Sequence, residues 1–385
     1  MSLFADFHTV DDFRQRARRR LPRYAFDFID GGAGSERALA RNATAFARVE
    51  LVPRLGACHA QQDLSVDCMG QRFEVPFGIA PLGLCGLVHP QADQMLARVA
   101  ARCGVPFVLS ATSNTPLEQI ADALGQAPWF QFYAPKSTSA ANSLLDRAER
   151  AGCPVLVVTA DVAAPGKRLR DLRHGLKLPL RPSLGNIVTT LCHPHWAARR
   201  VLAGPITFPN LAMPGEDQAA LSFSSLMAWQ TGGTLDWATL ARIRERWPRK
   251  LILKGVLAAE DAQQALGLGF DAVVVSNHGG RQFDSAPAPL SMLPAMSAGG
   301  IPAASLLLDS GVRSGEDIVK AIAMGAGMVF LGRPFLFALA SGGEAAVEHL
   351  IALLKQDVAR AMSLLGMVSV AQAGQWREKG MYGIC

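Results

Sequence analysis

The chain has 385 residues, half of them hydrophobic and 18% charged, with 38 Lys and Arg against 32 Asp and Glu for a net charge of +6. That composition excludes a disordered chain and is ample for a large core. So mild a basic excess does not by itself indicate nucleic acid and suits an anionic ligand or surface equally well.

Seven cysteines at 58, 68, 85, 103, 153, 192 and 385 show no CxxC and no paired spacing. A disulfide framework or zinc site is not expected, no metal is assigned, and the expected compartment is a reducing cytoplasm. The opening MSLFADFHTVDDFRQRARRR carries charge where a signal peptide needs an apolar stretch. No run of 18 apolar residues is present, so no membrane-spanning helix is predicted.

In chain order, residues 1–60 read as a separate helical cap. Short β-branched apolar runs follow: VPFGIAP (75–81), VPFVLSA (105–111), PWFQFY (128–133), PVLVVTAD (154–161), LILKG (251–255), DAVVVSNHGG (271–280), ASLLLDSG (304–311) and GMVFLGR (327–333). Continuous apolar runs bounded by Gly and Pro suit strands buried on both faces of a parallel sheet. Between them lie helix-period stretches. Residues 89–104 carry Met95, Val99 and Cys103 on one stripe, 314–326 open with Ser314 as a cap, and 344–365 form one amphipathic helix. The tail WREKGMYGIC reads as loosely held.

Eight βα units predict an α/β (β/α)8 TIM barrel over 61–370, within a single domain spanning 1–385. The alternative is an open doubly wound sheet, but no GxGxxG follows the first strand. One gap, between strands four and five, is far longer than the others. Its segment 176–233, rich in Pro, Gly, Arg and apolar residues, reads as a long loop leaving the active-site face. With Arg181, Arg199 and Arg200 among Leu, Ile, Phe and Trp, it fits a membrane-surface contact or a substrate lid. His193 and His195 within it lack acidic or Cys partners and read as loop histidines.

Polar residues cluster where the strands end: Ser110, Gln131 and Tyr133, Thr159 and Asp161, Lys254, Ser276 with His278 and Arg281, Asp309, and Gly332 with Arg333. One such group is ordinary capping; a succession of strand ends is the pattern of a barrel active site. DSGVRSG (309–315) and LGRP (331–334) offer glycine amides plus Arg313 and Arg333, a phosphate site or else two plain turns. In SNHGGRQFD (276–284), His278 can take a proton and Arg281 can fork onto a carboxylate, with Asp161 placed to orient the histidine. Lys254 is compatible with a Schiff-base aldolase or with an ammonium beside an anionic cofactor.

SNHGGRQFD, KGV around Lys254, QFY at 131–133, TADVAAPGKRLRD at 159–171 and LPRYAFDFIDGGAGSE at 21–36 resemble the FMN-dependent 2-hydroxy-acid dehydrogenases and oxidases. That family includes glycolate oxidase, L-lactate dehydrogenase and (S)-mandelate dehydrogenase. DVAAPGKRLRDL, CHPHW and DSG at 309–311 are similar to its membrane-associated mandelate dehydrogenase branch.

The resemblance implies oxidation of a mandelate- or lactate-like 2-hydroxy acid, with FMN as cofactor and a quinone, a carrier or oxygen as electron acceptor. It also implies a homotetramer, with contact at the inner membrane face through 176–233. His278 would take the α-proton or the hydroxyl proton, paired with Asp161. Arg281 and Arg168 would hold the carboxylate, and Tyr133 would hydrogen-bond near the reacting carbon. Lys254 would stabilise the reduced flavin. Leu82, Gly83, Ser110, Gln131, Thr159 and Ser276 would surround the ring and ribityl chain, with Asp309, Gly311, Arg313, Gly332 and Arg333 on the ribityl chain and phosphate. Where the family usually has YDY, this chain has Phe26-Asp27-Phe28, so Phe28 removes a substrate-facing hydroxyl. Gly83 stands where family oxidases often carry Ala, which leans toward a dehydrogenase. The altered pocket keeps open a same-fold flavin oxidoreductase acting on a hydroxy amide or a peptide-derived ring.

Overall fold

The short apolar runs become eight parallel strands: β1 (Phe77–Ile79), β2 (Val108–Ser110), β3 (Trp129–Phe132), β4 (Val155–Thr159), β5 (Lys250–Val256), β6 (Ala272–Val275), β7 (Leu306–Asp309) and β8 (Met328–Leu331). The computed structural model describes residues 4–55, 61–135, 137–175, 183–211, 235–373 and 382–384. Around the sheet the order is β1-β8-β7-β6-β5-β4-β3-β2, and a parallel bridge between Ile79 and Phe107 closes it into a barrel.

Alternation along each strand divides the core in two. Val108, Trp129, Val155, Val157, Ile252, Ala272, Val274, Leu307, Met328 and Phe330 form one cluster inside the barrel. The intervening Leu109, Phe130, Leu156, Leu253, Val273, Leu308 and Val329 join the larger core under the helices. Side chains two apart on a strand share a face. Ser110, Gln131, Thr159, Lys254, Ser276, Asp309 and Gly332 therefore continue the inner row at its carboxyl end. At the opposite end a hairpin (Val66–Cys68 with Gln71–Phe73) stops the barrel, with Phe73 edge-on to Trp129 and Gln71 Oε1 accepting from Trp129 Nε1 at 2.7 Å.

The cap consists of α1 (Val10–Arg20), α2 (Arg23–Asp30) and α3 (Arg37–Ala47). Thr9 and Asp12 make a capping box on α1, as Ser314 and Asp317 do on the helix Gly315–Ala323. Arg16 and Arg20 donate to the Ser341 carbonyl, and Ser341 Oγ donates to that of Phe13, fastening α1 to the helical run Arg333–Leu364.

Several expectations change. The stripe on Ala92–Arg102 that faces the core is Ala92, Leu96, Val99 and Ala100, while Met95 and Cys103 sit at its margins. The last helix is preceded by another helical stretch, from Arg333 to Ser341, with a break at Gly342-Gly343 where the Phe4 ring fills the space of a Gly342 Cβ. Arg333–Leu364 is long and apolar enough to cross a membrane by composition, but that break interrupts it and half of its most apolar stretch is buried. Of the tail, Tyr382–Ile384 pairs antiparallel with Val49–Leu51 and so is not loose. The segment read as a loop contains two helices, Leu184–Leu191 and Pro194–Leu202, placing His193 at a helix start and His195 inside it. Arg181 and residues 212–233 of that segment lie outside the described residues.

Candidate active site

At the carboxyl ends of the strands a cavity of about 130 Å³ is lined by residues that include Phe28, Leu82, Gly83, Lys254, His278, Arg281, Asp309, Gly311, Arg313, Gly332 and Arg333. Tyr133, Asp161, Arg168, Ser110, Gln131, Thr159 and Ser276 are not in its lining; they support it from the inner barrel row and the β4 loop.

His278 follows β6 in the left-handed region, with φ +58°, a costly conformation for a non-glycine residue. Its amide donates to Ser276 Oγ at 3.0 Å, and its ring Nδ1 lies 2.9 Å from Asp161 Oδ1. Asp161 reaches that position because Gly255 adopts φ +102°; a Cβ there would lie 2.5 Å from the Asp161 Cβ. Burial pulls the imidazole below its ordinary 6.5, opposed by Asp161 and reinforced by Lys254. Burial would raise the Asp161 carboxyl, but His278 and Lys254 bring it below its usual range. A neutral imidazole beside a carboxylate keeps its proton on Nδ1, which leaves Nε2 as a basic atom.

Lys254 Nζ pairs with Asp309 at 3.2 Å and donates to Ser276 Oγ at 3.0 Å. Burial opposes its charge, but Asp309 and Asp161 hold the ammonium above its ordinary value. A Schiff-base lysine needs the opposite shift, so the aldolase alternative loses its chemical basis. Burial, with the Asp161 charge, pushes the Tyr133 phenol up to about 12, so it remains a hydrogen-bond donor.

Three arginines carry charge into the cavity against main-chain carbonyls. Arg281 Nη1 donates to the Phe28 and Gly31 carbonyls at 2.6 and 2.9 Å, and its guanidinium lies 4.9 Å from the centre of the Phe28 ring. Arg333 donates to the carbonyls of Asp30, Gly279 and Gly31, and Arg313 to that of Val312. Burial disfavours the charge on all three, and Arg168 adds to the strain on Arg281. Guanidinium does not lose its proton at neutral pH, so the cluster is built to receive anions. Arg168 itself lies 3.9 Å from Asp171 and 3.5 Å from the Arg281 carbonyl.

The FMN that the motif resemblance implies would be met here by unpaired polar atoms as well as by cations. Gln131 Nε2 and Thr159 Oγ1 are buried with no hydrogen-bond partner, while Gln131 Oε1 accepts from Ser110 Oγ at 2.8 Å. Buried polar atoms left unpaired are costly unless a ligand completes them. A flavin edge offers the complementary donors and acceptors, and Arg313 and Arg333 fit a phosphate.

The family profile for FMN-dependent dehydrogenases matches residues 17–377. The chain belongs to the FMN-dependent dehydrogenase family. It is 36% identical over 363 residues to L-lactate dehydrogenase of Ectopseudomonas mendocina (strain ymp), covering 94% of this chain and 96% of that one. It is 38% identical over 365 residues to L-lactate dehydrogenase of Xanthomonas campestris pv. campestris (strain 8004), covering 94% of each. Among solved structures, the monotopic membrane protein (S)-mandelate dehydrogenase superposes with a TM-score of 0.93 at 34% identity, over 99% of this chain and 100% of that one. This is an FMN-dependent enzyme of the 2-hydroxy-acid dehydrogenase family on a TIM barrel, as the motifs implied.

Some contributors are not evident from sequence. Ser310, at φ +79°, donates to Asp309 Oδ1 at 2.7 Å and accepts the Gly279 amide at 2.8 Å, joining the β7 and β6 loops. Asn42 of α3 exchanges hydrogen bonds with Asn277. Gly280 allows α3 to approach, since a Cβ there would lie 2.7 Å from the Leu39 amide. The signal for these was the run DSG and the doubled glycine, read only as phosphate and turn chemistry.

Proposed function

We propose that the enzyme oxidises a 2-hydroxy acid with an apolar or aromatic side chain to the 2-oxo acid, with His278 as base and Arg281 and Arg168 binding the carboxylate. The observation that carries this reading is His278, backed by Asp161 at 2.9 Å, lining the same cavity as the Arg281 cation. Substrate loses two electrons and two hydrogens in all; bound FMN would accept the two electrons together with one hydrogen. His278 Nε2 takes one proton, and the imidazolium so formed is stabilised by Asp161. Tyr133 would donate a hydrogen bond near the reacting carbon, and the Lys254 ammonium would stabilise negative charge on bound FMN. Anaerobic addition of mandelate should bleach the flavin absorbance; a flavin that stays oxidised with every 2-hydroxy acid but reduces with a hydroxy amide would overturn the substrate class.

Phe28 directs the size preference. Tyr24 does not supply the missing hydroxyl, because its Oη is 3.1 Å from Thr190 Oγ1 and its ring packs edge-on to Trp196. A phenol donating to a carboxylate contributes on the order of 1.5–3 kcal/mol, roughly ten- to hundredfold in affinity. Phe28→Tyr is expected to raise kcat/KM for lactate by about that factor with a smaller change for mandelate. Equal, unchanged values for both acids would remove Phe28 from the pocket.

The 183–211 segment supports membrane-surface docking at the cytoplasmic face. Leu184, Val188, Leu191, Val201 and Leu202 are exposed on its two helices, beside a cleft lined by Arg19, Arg20, Arg199 and Arg200. Apolar side chains flanked by arginines suit an anionic bilayer. Trp196 and Phe208 are not part of that surface: Trp196 Nε1 donates to the Leu87 carbonyl and Phe208 is buried. Leu191→Asp/Leu202→Asp is expected to lose co-sedimentation with phosphatidylglycerol vesicles while retaining flavin. Sedimentation equal to the parent enzyme would point to a lid instead.

A further inference from the structure

Under one wall of the flavin cavity lies a carboxylate that the reaction above does not use. Asp93, only 3% exposed, stands in the first turn of the helix Ala92–Arg102. Its Oδ2 accepts from Ser113 Oγ and from the Asn114 amide, both at 2.9 Å. The Thr115 amide and the Cys85 thiol also act on it. Two of these partners lead directly to the loop Pro81–Leu87, which contributes Pro81, Leu82 and Gly83 to the cavity. The Cys85 thiol reaches the Leu82 carbonyl at 3.2 Å. Asn114 Oδ1 accepts the Gly86 amide at 2.7 Å, while its Nδ2 donates to the Thr207 carbonyl of the insertion at 2.8 Å. The loop needs such ties, because Leu84 at its centre has φ +58°.

We infer that Asp93 and Asn114 are positioning residues for the flavin site, holding the Leu82–Gly86 wall through the Cys85 thiol and the Gly86 amide. The inference rests on FMN occupying the adjoining cavity. A thiol has one proton and serves one acceptor well at a time. An ionised Asp93 draws that proton away from the Leu82 carbonyl; a protonated Asp93 releases it, and the Leu82-Gly83 peptide is held differently. Burial raises the Asp93 carboxyl to about 6. Of the groups that act on it most strongly, the Cys85 thiol is the titratable one, and burial raises that thiol far enough to stay protonated. The two states of the wall therefore exchange near pH 6.

An acid whose folded pKa lies above its unfolded value stabilises the fold below the unfolded value and loses that contribution as pH rises from about 4 to about 6. Asp93→Asn carries no charge to bury, so it is expected to fold and to load FMN.

The experiment records the visible spectrum of the FMN-loaded enzyme from pH 5 to 8, with FMN affinity measured by the fluorescence of released flavin. The parent enzyme is expected to show a band shift with a midpoint near pH 6 that is missing in Asp93→Asn and in Cys85→Ala. His278 is retained in all three proteins, so only the component lost with Asp93 counts. Asn114→Ala, which removes ties to two segments, is expected to weaken FMN roughly three- to tenfold with the pH-dependent shift reduced. The same shift in Asp93→Asn as in the parent, or no shift in the parent, would overturn the inference. Unchanged FMN affinity in a folded Asn114→Ala would remove Asn114 from it. A parent enzyme that takes up no FMN at all would overturn the cofactor assignment along with it, which sets that failure apart from the others.

Discussion

His278→Ala is expected to keep its FMN and to lose flavin reduction by about 10²–10⁴-fold, the usual cost of removing a general base. Alanine lacks histidine's enrichment in the left-handed region, so at φ +58° the substitution adds a small backbone cost that flavin retention would show to be tolerated. The loop keeps its Ser276, Ser310 and Arg333 contacts, because they are made to main-chain atoms. Stopped-flow reduction by mandelate under anaerobic conditions measures the effect directly. A near-parental rate would show that another group takes the proton. The pH profile gives a second check. The base acts when neutral, so the reduction rate rises as pH increases through the His278 pKa, and burial places that acid limb below 6.5. Asp161→Asn removes the opposing carboxylate, so the limb moves further down while the maximal rate falls through loss of ring orientation.

Removing both phosphate-facing cations should be the other large effect. Each charge-assisted hydrogen bond to phosphate contributes about 1.5–3 kcal/mol, so Arg313→Ala/Arg333→Ala together is expected to weaken FMN roughly 10²–10⁴-fold and to yield largely colourless protein. Arg333 also ties the Asp30, Gly31 and Gly279 carbonyls, so its loss disturbs the junction of cap and barrel as well. Arg313 ties less: its side chain donates to the adjacent Val312 carbonyl, and its charge is shared with Asp317 and Asp30. Arg313→Ala alone therefore isolates the phosphate contribution, with an expected loss of roughly ten- to hundredfold in FMN affinity and an unchanged melting temperature for the flavin-free protein. Full FMN occupancy in the double variant would remove the phosphate assignment.

The barrel was legible because a strand buried on both faces must be apolar throughout, and eight such runs at βα spacing leave few ways to bury them. The chemistry was legible for a related reason. Gln131, Thr159, Lys254, Ser276 and Asp309 interrupt apolar strands at their carboxyl ends, on the same face as the inner residues two positions earlier. Chain pattern alone determined that much, since alternation along a strand is a local property. Tertiary structure decided everything that depends on one segment meeting another. The anchoring of Arg281 and Arg333 on the Phe28, Asp30 and Gly31 carbonyls joins residues some 250 to 300 positions apart, and a carbonyl acceptor carries no side-chain signature. The protonation of Lys254 followed from its distance to Asp309, not from its residue type. The removal of Tyr24 from the pocket followed from its contact with Thr190 across the insertion. Electrostatic environment and backbone hydrogen bonding are set by which segments pack together, and a linear pattern does not contain those distances.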